Sequence, residues 1–123
     1  MDRFFKARSI AIIGASRNPN KVGHVILKNL LESHYYGKIY PVNPKISSLI
    51  NLKCYNSVLD IKGNVDLEVI AVPASSAIDE VEKCGKKGIK NIVMISAGFS
   101  EIGNKQLDEK LLEIVKKYKI NLI

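Results

Sequence analysis

Cysteine is scarce in this sequence, and long apolar runs are absent. The two cysteines, Cys54 and Cys84, do not form a Cys-x-x-Cys pair, so neither a disulfide framework nor a zinc site is indicated. The longest apolar runs cover residues 9–15, 69–74 and 92–95, whereas a helix that crosses a bilayer needs roughly 18 residues or more. The sequence therefore predicts no membrane partner and no metal site.

The amino terminus offers no apolar core for a signal peptide. Asp2, Arg3, Lys6 and Arg8 interrupt it before any apolar stretch begins, which favours a cytoplasmic location. The 123 residues suffice for one domain, so we expect a single domain rather than a two-domain enzyme. With 46% hydrophobic and 25% charged residues, the composition is typical of a globular domain and not of a disordered or fibrous chain.

Acidic residues are few in the first half of the chain, which carries all of the excess charge. Residues 1–62 contain ten basic and three acidic side chains, whereas residues 63–123 contain nine of each. A nucleic-acid partner would require a basic stripe with interleaved aromatic residues or a recognisable reading element. Neither is visible, so we expect no nucleic acid. The concentration of charge beside a glycine-containing loop favours a small polyanionic ligand, and a merely solvated basic surface is the alternative.

The apolar pattern alternates between short branched runs and longer segments with helical spacing, which predicts a β-α-β-α order. Strands are predicted at residues 9–13, 38–42, 67–72, 91–95 and 120–123, with a weaker strand near 52–54 and a helical turn near 57–61. Helices are predicted at residues 22–33 and at Lys105–Tyr118. Near-continuous apolar strands, each followed by a helix, predict a doubly wound parallel sheet, that is, an α/β Rossmann-like fold.

Three expectations concern single elements. Pro41 lacks an amide donor, which predicts that the second strand lies at an edge or ends there. A further helix is predicted between the strands at 67–72 and 91–95 and ends at Gly85 or Gly88, and Ser75 and Ser76 could accept hydrogen bonds from the free amides at its start. In the last helix, Leu111 and Leu112 are among the residues expected to face the core.

The first strand-to-helix turn reads Gly-Ala-Ser-Arg-Asn-Pro-Asn-Lys-Val-Gly from Gly14 to Gly23. In such folds this turn presents backbone amides and a helix amino terminus to a pyrophosphate, and glycine stands where backbone and ligand approach closely. Ser16 replaces the second glycine of Gly-x-Gly-x-x-Gly, and Lys21 precedes the last glycine, unlike in a P-loop. With Arg17 and Lys21 present, the loop favours a phosphate-bearing ligand; a tight turn with helix caps is the alternative.

An NAD or flavin site would place Asp or Glu about 20 residues further on, at the end of the second strand. Asn43, Pro44 and Lys45 stand there instead. A cation at that point favours a ligand phosphorylated on its ribose, and both coenzyme A (CoA), with its 3′-phosphate, and NADP, with its 2′-phosphate, qualify. None of the five tyrosines begins the Tyr-x-x-x-Lys pair of NADP-dependent short-chain dehydrogenases, so hydride chemistry has no visible catalyst.

Four motifs follow predicted strands: Ile-Ile-Gly-Ala-Ser-Arg at residues 12–17, Pro-Val-Asn-Pro-Lys at 41–45, Val-Pro-Ala at 72–74 and Ser-Ala-Gly-Phe at 96–99. In this order and spacing they resemble the amino-terminal CoA-binding domain of NDP-forming acyl-CoA synthetases, a domain that also opens the succinyl-CoA synthetase α subunit. The resemblance covers essentially the whole chain and implies CoA as the ligand.

The resemblance also implies which residues bind CoA. They lie in four loops at the carboxyl ends of strands: Gly14, Ala15, Ser16, Arg17, Lys21, Gly23, Asn43, Pro44, Lys45, Val72, Pro73, Ala74, Ser96, Ala97 and Gly98. Ser16 and Arg17 would contact the diphosphate, and Lys45 a phosphate. The loops at 72–74 and 96–98 would border the adenine and pantetheine arms.

In that family the last strand leads into Gly-Pro-Asn, and a following domain carries the histidine that is phosphorylated during catalysis. This sequence contains neither. We therefore expect an amino-terminal fragment of a longer acyl-CoA ligase that binds CoA without catalysing a reaction alone, with the remaining domains or a second subunit as partners. A stand-alone CoA-binding or CoA-sensing module and an NADP-binding domain are the alternatives. The roles of His24 and Cys54 stay open.

Overall fold

The computed structural model describes residues 6–95 and 105–123. Within them the strands are β1 Ser9–Ile13, β2 Lys38–Val42, β3 Ser48–Leu49, β4 Leu52–Lys53, β5 Leu67–Ile70, β6 Asn91–Met94 and β7 Asn121–Leu122. A parallel sheet contains five of them in the spatial order β2-β1-β5-β6-β7. Strands β3 and β4 form a short antiparallel hairpin.

The helices fill the connections between strands. Helix α1, Val22–Glu32, joins β1 to β2, α2, Ala74–Lys87, joins β5 to β6, and α3, Lys105–Tyr118, precedes β7. A 3-10 turn covers Val58–Asp60. Helix α2 ends at Gly88, whose φ of 93° is a left-handed conformation that glycine adopts readily. No helix in the described ranges has the length and apolar character needed to cross a membrane.

Alternate residues of β1 face two different helix layers. Ile10 and Ile12 belong to a core cluster with α1, whereas Ala11 and Ile13 belong to a second cluster with α2 and α3. All five residues of β1 are buried, because a parallel strand covered on both faces has no side that meets water. The doubly wound α/β fold predicted from the sequence is confirmed.

The strand order fixes where a ligand can enter. From β1 the chain passes through α1 to β2 on one side, and it later returns to β5 on the other side of β1. The loops that follow β1 and β5 therefore diverge, and in open α/β sheets such a switch point leaves a crevice at the carboxyl ends of the strands.

Strand β2 is an edge strand, as Pro41 predicted. The Lys38 amide donates to the Arg8 carbonyl at 3.0 Å, so the backbone groups of alternate residues turn outward from the sheet. Tyr55 covers part of this outer edge: its amide donates to the Pro41 carbonyl at 2.9 Å, and its carbonyl accepts from the Asn43 amide at 2.8 Å.

A carboxyl group is buried in the middle of the sheet. Glu68 of β5 is 0% exposed, and neither carboxyl oxygen has a hydrogen-bond partner in the described part of the chain. Burial raises the pKa of Glu68 well above its ordinary value; the neighbouring Glu80 carboxylate raises it further, and Lys83 lowers it. The Glu68 carboxyl is therefore harder to ionise in the folded chain than in the unfolded chain.

Several elements differ from the sequence-based expectation. The strand predicted at 67–72 ends at Ile70, because Ala71 and Val72 already belong to the loop that follows. The hairpin of β3 and β4 was not predicted as a pair, although the weak strand near 52–54 coincides with β4. Leu112 is 57% exposed and lies outside the core, whereas Leu111 is buried as expected.

Candidate functional site

Three described loops converge at the carboxyl ends of the strands: the β1 loop (residues 14–21), the β2 loop (residues 43–47) and the β5 loop (residues 71–73). The Gly14 amide donates to the Val42 carbonyl at 3.1 Å, which joins the first loop to the end of β2. Gly14 has a φ of +92°, and a Cβ there would overlap the Ala71 carbonyl oxygen and lie 2.9 Å from a Val72 methyl carbon. Glycine is therefore required by both conformation and space.

Gly23 holds the start of α1 against the β1 loop. A Cβ at this position would overlap the Gly14 carbonyl oxygen and lie 2.7 Å from the Gly14 carbonyl carbon. The first turn of the helix and the end of β1 thus pack backbone against backbone. This close approach is the role that the sequence predicts for a glycine inside the first helical turn.

The β1 loop is ordered by its own short polar side chains. The Asn18 amide donates to Ser16 Oγ at 3.1 Å, and the Asn20 amide donates to Asn18 Oδ1 at 3.0 Å. Lys21 precedes α1 in an extended conformation without a side-chain cap. Among the described residues the Val22 and Gly23 amides have no acceptor, so the helix presents free donors that an anion could accept from.

Arg17 lies on the surface between the β1 loop and the hairpin. Its Nη2 donates to the Ser48 carbonyl at 3.1 Å, which fixes the guanidinium but uses one of its five donors. The remaining donors can still bind an anion, so the bond to Ser48 is compatible with the contact to the diphosphate that the sequence predicts.

Asn43 links the β2 loop to the β1 loop through its side chain. Its Nδ2 donates to the Ala15 carbonyl at 2.8 Å, and its Oδ1 accepts from the Lys45 amide at 2.8 Å. Pro44 and Lys45 are exposed, and no ion pair to Lys45 is formed within the described ranges. The Lys45 ammonium is thus carried beside the β1 loop by a turn whose backbone is fixed.

Cys54 lies behind the β2 loop and is 5% exposed. Its thiol is 3.9 Å from the Asn43 carbonyl oxygen. Burial raises the pKa of the Cys54 thiol, although the nearby charge of Arg17 acts in the opposite direction. Cys54 is therefore a neutral thiol that supports the loop rather than a nucleophile.

The β5 loop leads directly into α2. Pro73 precedes the helix, and its carbonyl accepts from the amides of Ser76 and Ala77, both at 2.9 Å. Because α2 already begins at Ala74, Ser75 and Ser76 lie inside the first turn, and the prediction that they cap the helix is wrong. Among the described residues the Ala74 and Ser75 amides have no acceptor, so a second helix start faces the crevice with free donors.

The predicted site residues Ser96, Ala97 and Gly98 lie outside the described residues. They follow β6, which pairs with β5. The expectation that they border the ligand stays a prediction.

The described part of the site is built for binding an anion. It combines the free amides of two helix starts with the side chains of Arg17, Lys21 and Lys45. No group of three or more His, Cys, Asp or Glu side chains within residues 6–95 and 105–123 could hold a metal ion. His24, in the first turn of α1, bonds through Nδ1 to the Ser16 carbonyl at 2.8 Å. Sequence reasoning could place His24 near the loop but could not identify this bond.

Comparison with known proteins identifies the family of the chain. The model of the CoA binding domain family matches residues 8–123. An ADP-forming acetate–CoA ligase from Methanocaldococcus jannaschii is 51% identical over 116 residues, which are 94% of this chain and 16% of that protein. The alpha subunit of ADP-forming acetate–CoA ligase I from Pyrococcus furiosus is 43% identical, with 100% of this chain and 28% of that subunit covered.

A solved structure has the same fold. The dinucleotide forming acetyl-coenzyme A synthetase 1 of Ca. Korarchaeum cryptofilum, in complex with phosphate and ADP, superposes with a TM-score of 0.92 at 41% identity and covers 99% of this chain and 26% of that chain. The chain thus spans 16% to 28% of the length of these relatives. Because the family model covers nearly the whole sequence, the chain belongs to the family of CoA-binding domains found in ADP-forming acyl-CoA synthetases.

Proposed function

We propose that the chain binds CoA in the crevice between the β1, β2 and β5 loops, as the nucleotide-binding domain of an ADP-forming acyl-CoA synthetase. The observation that carries this proposal is the bond from Asn43 Nδ2 to the Ala15 carbonyl at 2.8 Å. It holds the turn that carries Lys45 beside the β1 loop, so that positively charged side chains lie at two separate places, Arg17 and Lys21 in one loop and Lys45 in the other. CoA carries phosphate at two separate places, on the 5′ and the 3′ side of its ribose.

The diphosphate of CoA is assigned to the β1 loop and the start of α1. Two free amides at Val22 and Gly23 lie there, beside the exposed side chains of Arg17 and Lys21. Helix starts attract anions because their unpaired N–H groups and the helix dipole act together. Gly14, Ala15 and Ser16 supply the backbone that lets the ligand approach.

The 3′-phosphate is assigned to Lys45 in the β2 loop. Lys45 occupies the position where a carboxylate would hold the free ribose hydroxyls of NAD. Its amide is bonded to Asn43, which leaves the ammonium free to move toward the ribose. The Val72-Pro73-Ala74 segment and residues 96–98 are assigned to the adenine and pantetheine arms.

The contribution to the reaction is positioning. The described residues hold no paired base and nucleophile in the crevice, and the single buried thiol there is neutral. An ADP-forming synthetase interconverts acyl-CoA, ADP and phosphate with the carboxylic acid, CoA and ATP. Holding CoA with its thiol directed toward the remaining domains or subunit of the synthetase supplies the high effective concentration that thioester formation requires.

The test compares four nucleotides and two lysines. We expect calorimetric titration of the 123-residue chain to give the tightest binding with CoA, then dephospho-CoA, with NADP and NAD much weaker. Replacement of Lys45 by Ala should weaken CoA about tenfold, which is about 1.4 kcal/mol, and leave dephospho-CoA unchanged. The matched control is Lys38→Ala, at the opposite end of β2, which removes the same charge and should leave both ligands unaffected.

Two results would contradict the proposal. A preference for NADP over CoA would show that the crevice is an NADP site. Equal losses of CoA and dephospho-CoA in the Lys45 variant would show that Lys45 does not reach the 3′-phosphate.

A further inference from the structure

The side chain of His24, in the first turn of α1, reaches back to the β1 loop. Its Nδ1 lies 2.8 Å from the Ser16 carbonyl oxygen, eight residues earlier in the chain. The other side-chain bonds within this loop, at Ser16 Oγ and Asn18 Oδ1, span only two residues each. Because a carbonyl oxygen can only accept, Nδ1 of His24 must carry the proton in this contact.

This bond fixes the orientation of a peptide group. In a trans peptide the carbonyl and the N–H point in opposite directions, and no cis peptide bond occurs in the described chain. With the Ser16 carbonyl held toward the His24 ring, the Arg17 N–H points away from the ring. Within the described residues the Arg17 amide has no acceptor, so it is a further free donor in the loop.

A flipped peptide would be unfavourable beside a phosphate. The flip would turn the Ser16 carbonyl oxygen, which carries negative partial charge, to the side from which the Arg17 N–H now points. An anion in the loop would then meet an acceptor where it meets a donor in the present arrangement. Without an anion the flip costs only the bond to His24, whereas with an anion bound it also costs this repulsion, so the contact matters more for binding than for folding.

We propose that His24 is a positioning residue, which holds the Ser16–Arg17 peptide in the orientation that accepts a diphosphate and does so through Nδ1 without touching the ligand. The inference rests on the proposed function and adds to it a determinant that sequence motifs do not show. It also gives His24 a role different from direct contact with phosphate, which would use Nε2.

Three substitutions separate these roles. The side-chain amide nitrogen of Asn can occupy the place of Nδ1, and that of Gln the place of Nε2. We expect His24→Ala and His24→Gln to weaken CoA about tenfold, because the Arg17 N–H then loses its hydrogen bond to the charged diphosphate. His24→Asn should stay within about threefold of the wild type, because its amide nitrogen still holds the Ser16 carbonyl. Dephospho-CoA should weaken by the same factor as CoA, since both contain the diphosphate, and this parallel loss distinguishes His24 from Lys45.

The outcomes decide between the roles even where one variant is unstable. Rescue by Gln but not by Asn would overturn the proposal in favour of contact through Nε2. Unchanged binding in a folded Ala variant would overturn it as well. If His24→Ala does not fold, the comparison of Asn with Gln still applies, with thermal unfolding used to establish that both are folded.

A measurement without ligand separates this inference from the proposed function. Long-range ¹H–¹⁵N correlation spectra of the ¹⁵N-labelled chain report which ring nitrogen of His24 carries the proton. We expect the Nδ1–H tautomer, and a neutral ring protonated at Nε2 alone would refute the contact. If the wild type shows the Nδ1–H tautomer yet does not bind CoA, the proposed function fails while the contact stands.

Discussion

Replacing three glycines by alanine tests separately the two reasons for glycine at these positions, conformation and space. Gly14 and Gly88 have nearly the same left-handed φ, +92° and +93°, but a Cβ at Gly88 would meet nothing within 4 Å, whereas one at Gly14 would overlap the Ala71 carbonyl. Gly88→Ala should therefore cost only the conformational strain, about 1 to 2 kcal/mol. Gly14→Ala should cost the same strain plus about 1 to 3 kcal/mol for the overlap.

Gly23→Ala makes the sharper prediction because the two effects have opposite signs. Gly23 lies in α1 and has no left-handed φ, so alanine would favour the helix by about 1 kcal/mol if space were available. A Cβ there would overlap the Gly14 carbonyl, which is backbone and cannot rotate away. We expect a net loss of about 1 to 2 kcal/mol, together with weaker CoA binding, because α1 must move away from the β1 loop.

The assay is urea unfolding followed by circular dichroism, with the free energy of unfolding extrapolated to water. The expected order of stability is wild type, then Gly88→Ala, then Gly14→Ala. Two results would refute the reasoning: a Gly14→Ala variant no less stable than Gly88→Ala, or a Gly23→Ala variant more stable than the wild type.

Three further predictions concern polar groups. Because burial makes the pKa of Glu68 higher in the folded chain than in the unfolded chain, its contribution to stability is full below the ordinary Glu pKa and is lost as pH rises through the raised pKa. The unfolding free energy of Glu68→Gln should therefore fall less with pH than that of the wild type, by up to about 1.4 kcal/mol per pH unit, and parallel profiles would contradict this. Asn43→Asp should weaken CoA more than Asn43→Ala does, because it places a negative charge between the two loops; calorimetry in which the Asp variant binds CoA as well as the Ala variant or better would contradict phosphate binding by these loops. The thiols of Cys54 and Cys84, 5% and 0% exposed, should resist iodoacetamide until urea is added; mass spectrometry that finds either modified in the native chain would disprove their burial.

The architecture could be predicted from the sequence because period and composition change sharply between elements. Gly14 separates the branched apolar run of β1 from the helical spacing of α1. The predicted bounds of β1, residues 9–13, and of β2, residues 38–42, are both confirmed. Gly14 and Gly23 could be assigned to the loop because their places in the turn are set by the approach of backbone to backbone. These are local signals, and the fold is regular enough to follow them.

The hairpin of β3 and β4 could not be predicted because its turn carries no usual signal. Ile50 and Asn51 both have positive φ, 48° and 63°, in a two-residue turn that normally selects Asn-Gly or Gly-Gly. A β-branched residue in that conformation argues against a turn when only the sequence is available. The start of α2 was also predicted wrongly. The carbonyl of Pro73, and not a serine hydroxyl, accepts hydrogen bonds from amides of the first helical turn.

Long-range polar contacts were also beyond the sequence. The bonds from Asn43 to Ala15 and from His24 to Ser16 join residues whose spacing has no periodic meaning. Glu68 is a charged residue type in a central strand, where apolar residues are expected. Its burial follows only from its position opposite Ala11 and Ile92 in the sheet. The site residues could thus be listed from motifs, while the contacts that orient them required coordinates.

The covered edge of β2 has a consequence for self-association. An exposed strand edge can recruit the same strand of another molecule and so begin an aggregate. Here Pro41 offers no amide, its carbonyl is already bonded to Tyr55, and Tyr55 also holds the Asn43 amide. The half of β2 nearest the crevice is therefore closed to an incoming strand, so we expect that pairing of two sheets at this edge would not cover the proposed CoA crevice.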